Sequence, residues 1–266
     1  MAETGAGAGP GAPAEYLWRL IYPEHCVVCR RSLGFAERHV CPQCRGQLPW
    51  VGQTVCPRCG DSVAPGALLK RGCVSCRGMS LAFERAVAPL HYREAARELV
   101  LRFKLGRETS LAHTLGAFLC DALAQSGLSR SADVVVPVPL HWRRLVARGF
   151  NQSVLLALEV GDRFGIPVAQ GALTRRRSTP SQTTLSRLGR AANVRKAFQA
   201  RVASSFLARL WMHANHGADL LGKRVLLIDD VMTTGATANA CARALRDAGA
   251  SEVFVGTAAR THWGAR

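Results

Sequence analysis

The residues best suited to chemistry stand in one short run. Asp229-Asp230-Val231-Met232-Thr233-Thr234-Gly235-Ala236-Thr237 follows the apolar stretch Val225-Leu226-Leu227-Ile228. The branched apolar residues predict a buried parallel strand, the two acids stop it, and a helix is expected over Ala238 to Gly249. A small polar loop between strand and helix gathers amide donors at the helix N-terminus, and Gly235 lets the backbone approach an anion closely. Thr233, Thr234 and Thr237 add hydroxyl donors, so residues 233 to 237 are a candidate phosphate site. Asp229 and Asp230 suit a different partner. Two like charges cannot grip a phosphate, but they accept hydrogen bonds from a vicinal diol or hold a divalent cation. Phosphate on one side and diol on the other describe a 5-phosphoribosyl group.

The thirteen residues from Val225 to Thr237 closely resemble the 5-phosphoribosyl-1-pyrophosphate (PRPP) signature of type I phosphoribosyltransferases. The resemblance implies that Asp229 and Asp230 meet the ribose hydroxyls, that Thr233, Thr234, Gly235, Ala236 and Thr237 wrap the 5-phosphate, and that Mg²⁺ accompanies PRPP.

A second kind of chemistry is written in the cysteines. Eight of the ten fall into Cys-x-x-Cys pairs, Cys26/Cys29, Cys41/Cys44, Cys56/Cys59 and Cys73/Cys76, with 11, 11 and 13 residues between successive pairs. A two-residue spacer lets two thiolates reach one metal from a tight turn, and a hairpin brings the next turn opposite to complete a tetrahedral site. Two four-cysteine zinc ribbons are expected, Cys26, Cys29, Cys41 and Cys44 forming the first and Cys56, Cys59, Cys73 and Cys76 the second. Pairing of the knuckles in alternation is the other possibility. A closed four-thiolate site has no open coordination position, so its zinc folds a module rather than catalyses. Cys120 and Cys241 stand alone in apolar helical patterns and read as core.

The elements that must position these groups follow from the hydrophobic pattern. Residues 1–14 are small and core-poor, an expected disordered leader; 15–80 hold the ribbons; 81–266 alternate strand and helix. Strands are expected at Ala86 to Tyr92, Asp133 to Pro139, Ile166 to Leu173, Val225 to Asp230 and Glu252 to Thr257. Helices are expected at Arg93 to Lys104, Leu111 to Gln125, Arg143 to Phe164 and Ser204 to His213. Such alternation predicts an α/β fold, a parallel sheet covered by helices, whose ligands sit beyond the strand carboxyl ends. No secretory signal pattern or membrane-length apolar run interrupts the chain, so a cytoplasmic location is expected.

Two further stretches belong at that edge. One is Arg143-Arg144-Leu145-Val146-Ala147-Arg148-Gly149-Phe150-Asn151-Gln152, after a strand that ends in prolines; the other runs from Arg175 to Phe198 and carries Arg177, Thr179, Gln182, Arg190 and Asn193. With the cysteine-rich head, they closely resemble the ComF family, phosphoribosyltransferase-like proteins linked to DNA uptake in bacterial competence. The resemblance covers roughly Tyr16 to the C-terminus. It implies a type I phosphoribosyltransferase-like domain behind a double zinc ribbon, with Lys104, Arg143, Arg148, Asn151, Gln152, Arg177, Thr179, Gln182 and Arg190 around pyrophosphate or on its covering loop.

Charge agrees with that placement. Of a net +17, residues 143–196 contribute eleven Lys and Arg against two acids, which focuses positive field on the ligand edge rather than on the ribbons. Two functions are expected. One is phosphoribosyl transfer from Mg²⁺-PRPP to an acceptor that the motif does not reveal. The other is a non-catalytic single-stranded DNA or nucleotide binder that uses the same site, its ribbons docking a DNA-uptake helicase or channel. The ComF resemblance implies a competence role and favours the second more than the PRPP motif does. A basic edge with Trp142 and Phe150 among its arginines suits a phosphate-sugar backbone, although Phe150 reads better as core.

Overall fold

The computed structural model describes residues 24–34, 37–52, 54–64, 68–69, 72–74, 76–175, 197–200 and 219–262. Contacts divide the chain into two units, Met1–Leu48 and Pro49–Arg266. Within the described part of the first, helix α1 (Pro42–Gln47) starts on a proline and is capped by Cys41, whose sulfur accepts from Cys44 N. Around it, Cys26 N bonds Arg31 O and Val27 N bonds His39 O.

The second unit opens on a cysteine knuckle and a short antiparallel hairpin of β1 (Leu68–Leu69) and β2 (Gly72–Cys73). There follow β3 (Arg85–Val87), β4 (Leu90–His91), α2 (Glu94–Leu105), α3 (Leu111–Ser126), β5 (Val134–Pro137), α4 (Trp142–Arg148) and α5 (Gln152–Phe164). Then come β6 (Leu173–Arg175), β7 (Phe198–Ala200), β8 (Arg224–Met232), α6 (Ala236–Asp247) and β9 (Glu252–Arg260). The main sheet runs β3-β9-β8-β5 with β4 also on β9, and every pairing in it is parallel. β6 and β7 form a separate antiparallel ribbon.

The strands are apolar on both faces, as a sheet covered on both sides requires. Val134, Val136, Val225, Leu227, Val253 and Val255 share one core with Cys241, Ala242 and Leu245 of α6. On the other face, a Cβ on Gly256 would lie 2.9 Å from Ile228 and 3.4 Å from Leu119 of α3, so glycine there lets helix and sheet close up. α2 buries Ala96, Leu99, Val100 and Phe103, a helical stripe. Cys120 and Cys241 are both buried.

Four expected elements differ. The strand expected over 86–92 is two short strands interrupted at Ala88-Pro89, where proline has no N–H for a ladder. The helix expected over 143–164 is two, because Gly149 takes a left-handed conformation at φ 83° and ends α4. Between Ile166 and Leu173 there is a single parallel bridge, Val135 to Val168, in place of a strand. β9 continues three residues beyond Thr257, still paired with β8 through Met232 and Arg260. The helix expected over 204–213 lies outside the described residues.

Candidate functional site

The carboxyl ends of β8 and β5 and the first turns of α4, α5 and α6 surround a cavity of about 460 Å³. Its floor is the acid pair. Asp229 Oδ1 accepts from Ser153 Oγ and from Asp230 N, both at 2.9 Å. Asp230, 4% exposed, accepts from Gln152 Nε2 at 2.8 Å and pairs with Lys104 Nζ at 2.9 Å. Burial, then the charge of Asp230, pushes the Asp229 carboxyl up to about 7, against the pull of Lys104. For Lys104, burial disfavours the charge but the adjacent Asp230 outweighs it, and its pKa is raised.

On one side lies the loop 233–237. Gly235 at φ 71° turns the chain into α6 and, having no side chain, leaves the first turn of that helix without a cap from its own N-cap residue; Gly235, Ala236, Thr237 and Ala238 line the cavity. Thr233, Gly235, Ala236 and Thr237 line the cavity; Thr234 instead turns back, its Oγ1 accepting from Ala236 N at 3.4 Å. Thr261, directly after β9, fixes the loop from behind: its N–H donates to Met232 O and its hydroxyl to Thr233 O.

Arginines form the opposite wall. Arg144 and Arg148, one turn apart on α4, and Arg175 at the end of β6 line the cavity with Lys104. Arg143 does not. One residue of helical offset turns it outward, where its guanidinium lies over Trp142 at 5.4 Å. Asn151 is a structural anchor: its Oδ1 caps α5 by accepting from Ser153 N, and its Nδ2 donates to Val138 O. His141 caps α4 in the same manner, accepting from Arg143 N. Phe150 is half-buried against Phe103, with ring centroids 5.9 Å apart. Arg177, Thr179, Gln182 and Arg190 lie outside the described residues. Ser153, Arg144 and Arg175 line the cavity without having been singled out by the sequence pattern. The i, i+4 spacing of Arg144 and Arg148 was the available signal.

The cysteines sort as two clusters, 26/29/41/44 and 56/59/73/76, each with all four sulfurs within 4.8 Å. Sulfur separations of 3.8 Å (Cys29–Cys41), 3.7 Å (Cys56–Cys76), 3.7 Å (Cys59–Cys73) and 3.8 Å (Cys73–Cys76) match the ~3.8 Å edge of a tetrahedron with ~2.3 Å Zn–S bonds. The donor set fits structural zinc, and the knuckles pair in sequence rather than in alternation.

The second cluster is tied to the sheet. Arg260, fully buried at the end of β9, donates to Cys59 O and lies 3.4 Å from Asp61, which also meets His262 Nδ1 at 2.9 Å. Ala86 N of β3 donates to Arg58 O, and Gly60, at φ 69°, lies so close that a Cβ would sit 2.3 Å from Ala86 O.

A parallel sheet with paired acids and an amide loop at one strand end, preceded by two four-cysteine knuckles, defines a phosphoribosyltransferase-type domain joined to zinc ribbons. Family models agree: a double zinc ribbon domain matches residues 17–77 and a phosphoribosyl transferase domain matches 151–263. The chain belongs to the ComF family. It is 30% identical over 245 residues to the DNA utilization protein YhgH of Salmonella typhimurium, covering 91% of this chain and 99% of that one. It is 29% identical over 191 residues to competence protein F of Haemophilus influenzae, covering 71% and 78%. Among solved structures, the glutamine PRPP amidotransferase of B. subtilis aligns at 27% identity and TM-score 0.34, over 55% of this chain and 26% of that chain. No helix among the described residues is long and apolar enough to cross a membrane.

Proposed function

We propose that the cavity binds PRPP with Mg²⁺ and that the chain transfers, or recognises, a 5-phosphoribosyl group in the handling of DNA. The observation that carries this reading is the sorting of chemistry around one cavity: amides and hydroxyls at 233–237, the carboxylates of Asp229 and Asp230 on the floor, and Arg144, Arg148 and Arg175 opposite. The 5-phosphate fits the helix N-terminus, the ribose diol fits the acids, and the diphosphate fits the arginines, whose forked guanidinium groups bind paired oxygens. Mg²⁺, when bound, offsets charge on the diphosphate, and Asp229 and Asp230 are the residues to hold it or the diol. In transfer, an acceptor nucleophile bonds to the anomeric carbon as the bond to diphosphate breaks. The protein's part is to position the sugar and stabilise the leaving charge, so no dedicated base is needed.

Calorimetric titration of Mg²⁺-PRPP into the zinc-loaded protein tests this. Saturable binding that falls at least ~30-fold in Asp229→Asn/Asp230→Asn supports it. A folded wild type that does not bind refutes it.

A second reading is favoured by α4. None of its residues is buried, Trp142 is 62% exposed, and Arg143 stacks on it beside the cavity arginines. An exposed indole among guanidiniums is a stacking platform for a single-stranded base, and the relatives' names concern DNA utilization and competence. Pyrophosphate release separates the two readings: turnover requires the first, whereas DNA affinity lost in Trp142→Ala with unchanged PRPP binding supports the second.

A further inference from the structure

The amide of Gln152 is only half satisfied. The residue is 2% exposed, sits in the first turn of α5 and lines the cavity. Its orientation is dictated by Asp230: a carboxylate only accepts, so the Nε2 amine must face Asp230 Oδ2, where it lies at 2.8 Å. Oε1 therefore faces away from the carboxylate, and among the described residues it has no hydrogen-bond partner. A buried acceptor left bare is costly, and a donor supplied by a bound ligand removes that cost.

The surroundings say what that partner brings. Asp229 and Asp230 beside it accept as well, and the donors that reach them are Ser153, Gln152, Lys104 and one backbone amide. The floor is thus a concentration of acceptors, in which Oε1 is bare and the two carboxylates keep lone pairs for further donors. A phosphate supplies only acceptors, whereas each hydroxyl of a furanose diol supplies one O–H donor.

We propose that Gln152 Oε1 accepts a hydrogen bond from a ribose hydroxyl, making Gln152 the residue that selects ribosyl over 2-deoxyribosyl 5-phosphates. The proposal rests on the phosphoribosyl reading above and narrows it. With ribose, two O–H donors serve the carboxylates and the amide oxygen together. With deoxyribose, one donor is missing and an acceptor stays bare. A site built to hydrogen-bond a hydroxyl rejects the analogue lacking it far more strongly than an apolar pocket discriminates size. The same contact sets the cavity against the deoxyribose of a DNA backbone, which leaves DNA to the Trp142 face.

The test is displacement of Mg²⁺-PRPP from the full-length zinc-loaded protein, followed by calorimetry, using ribose 5-phosphate and 2-deoxyribose 5-phosphate. The wild type is expected to favour ribose 5-phosphate by about 10-fold or more. Gln152→Met, which keeps the side chain's length without the acceptor, is expected to bring the ratio close to one by weakening the ribose compound. Equal displacement by both sugars in the wild type, or displacement by neither while PRPP binds, overturns the proposal and leaves the PRPP reading standing. So does a ratio unchanged in Gln152→Met. Failure of PRPP itself to bind instead brings down the reading on which the proposal rests. The wild-type comparison needs no variant and decides the matter even if the variant folds poorly.

Discussion

The two cysteine clusters carry the same donors at nearly the same spacing, yet they are embedded differently. In the first, Cys29 is exposed, and the bonds seen among the described residues include Cys41 N to Cys26 Sγ, Cys44 N to Cys41 Sγ, a contact of Arg31 with Cys41, and the exposed pair Arg31–Glu37 at 2.6 Å. In the second, all four cysteines are buried, and the knuckle around Cys59 is held by Arg260, by Asp61 and by the backbone of β3. Ligand type fixes which ion is bound. The surroundings fix what else loosens when the ion leaves.

The sharpest way to break this comparison is to remove one arginine from each region. Arg260→Ala strips a buried partner from Asp61 and Cys59 O, and truncating one member of a buried pair costs about 3–5 kcal/mol. Thermal unfolding should show a large fall in Tm for Arg260→Ala, while Arg31→Ala, an exposed pair, should change stability by less than ~1 kcal/mol. Similar shifts in both would mean that the two clusters are equivalent after all.

A smaller effect is expected on ligand binding. β9 joins the second cluster to the phosphate loop, because Arg260 carries the knuckle and Thr261, the next residue, bonds Met232 and Thr233. Cys56→Ser/Cys59→Ser should lower bound zinc from two ions to one and weaken Mg²⁺-PRPP binding by roughly 10-fold, the size of one lost hydrogen bond. Cys26→Ser/Cys29→Ser should also lower bound zinc from two ions to one, by emptying the first site instead, and leave the affinity unchanged. Zinc stoichiometry and calorimetry on folded variants decide it, and unchanged affinity in both would remove the link through β9.

The mildest expectation concerns pH. Asp229 holds a cation only when ionised and accepts from a diol more strongly in that form, and its carboxyl is pushed up to about 7. Affinity for Mg²⁺-PRPP should therefore rise from pH 6 to pH 8 and flatten above it. For folding the sign is opposite: a raised carboxyl contributes stability below its unfolded pKa near ~4 and loses it as pH climbs through about 7. Asp229→Asn should thus melt higher than wild type at pH 8, with the gap closing toward pH 5. Loss of the second cluster should scale the binding curve without moving its midpoint; a displaced midpoint would mean that the cluster reaches the acids and not only the loop.

Much of this was legible in the residues. The apolar run ending in Asp229-Asp230, the small loop after it and the Cys-x-x-Cys spacing are local patterns, and local patterns survive in a single sequence. Long-range partners were not. Gln152 reads as one polar residue in a basic loop, and only folding brings it to Asp230, 78 positions away. Arg143 and Arg144 are indistinguishable as letters, and helical phase decides which one enters the cavity. The extension of β9 to Arg260 was hidden because its last residues are small and end in a cation, the mark of a loop, until Asp61 supplies the counter-charge.

Arg260 also bears on how such proteins can be recombined. A gene fusion cut between ribbons and sheet near residue 80 would part a buried guanidinium from the carboxylate and carbonyl that accommodate it, whereas a cut between Leu48 and Pro49 follows the division of contacts. A transplanted ribbon is compatible with this sheet only if it brings an acid to the place of Asp61. The arginine is in effect a lock that accepts a restricted set of keys, and it makes half of the double ribbon hereditary property of the sheet.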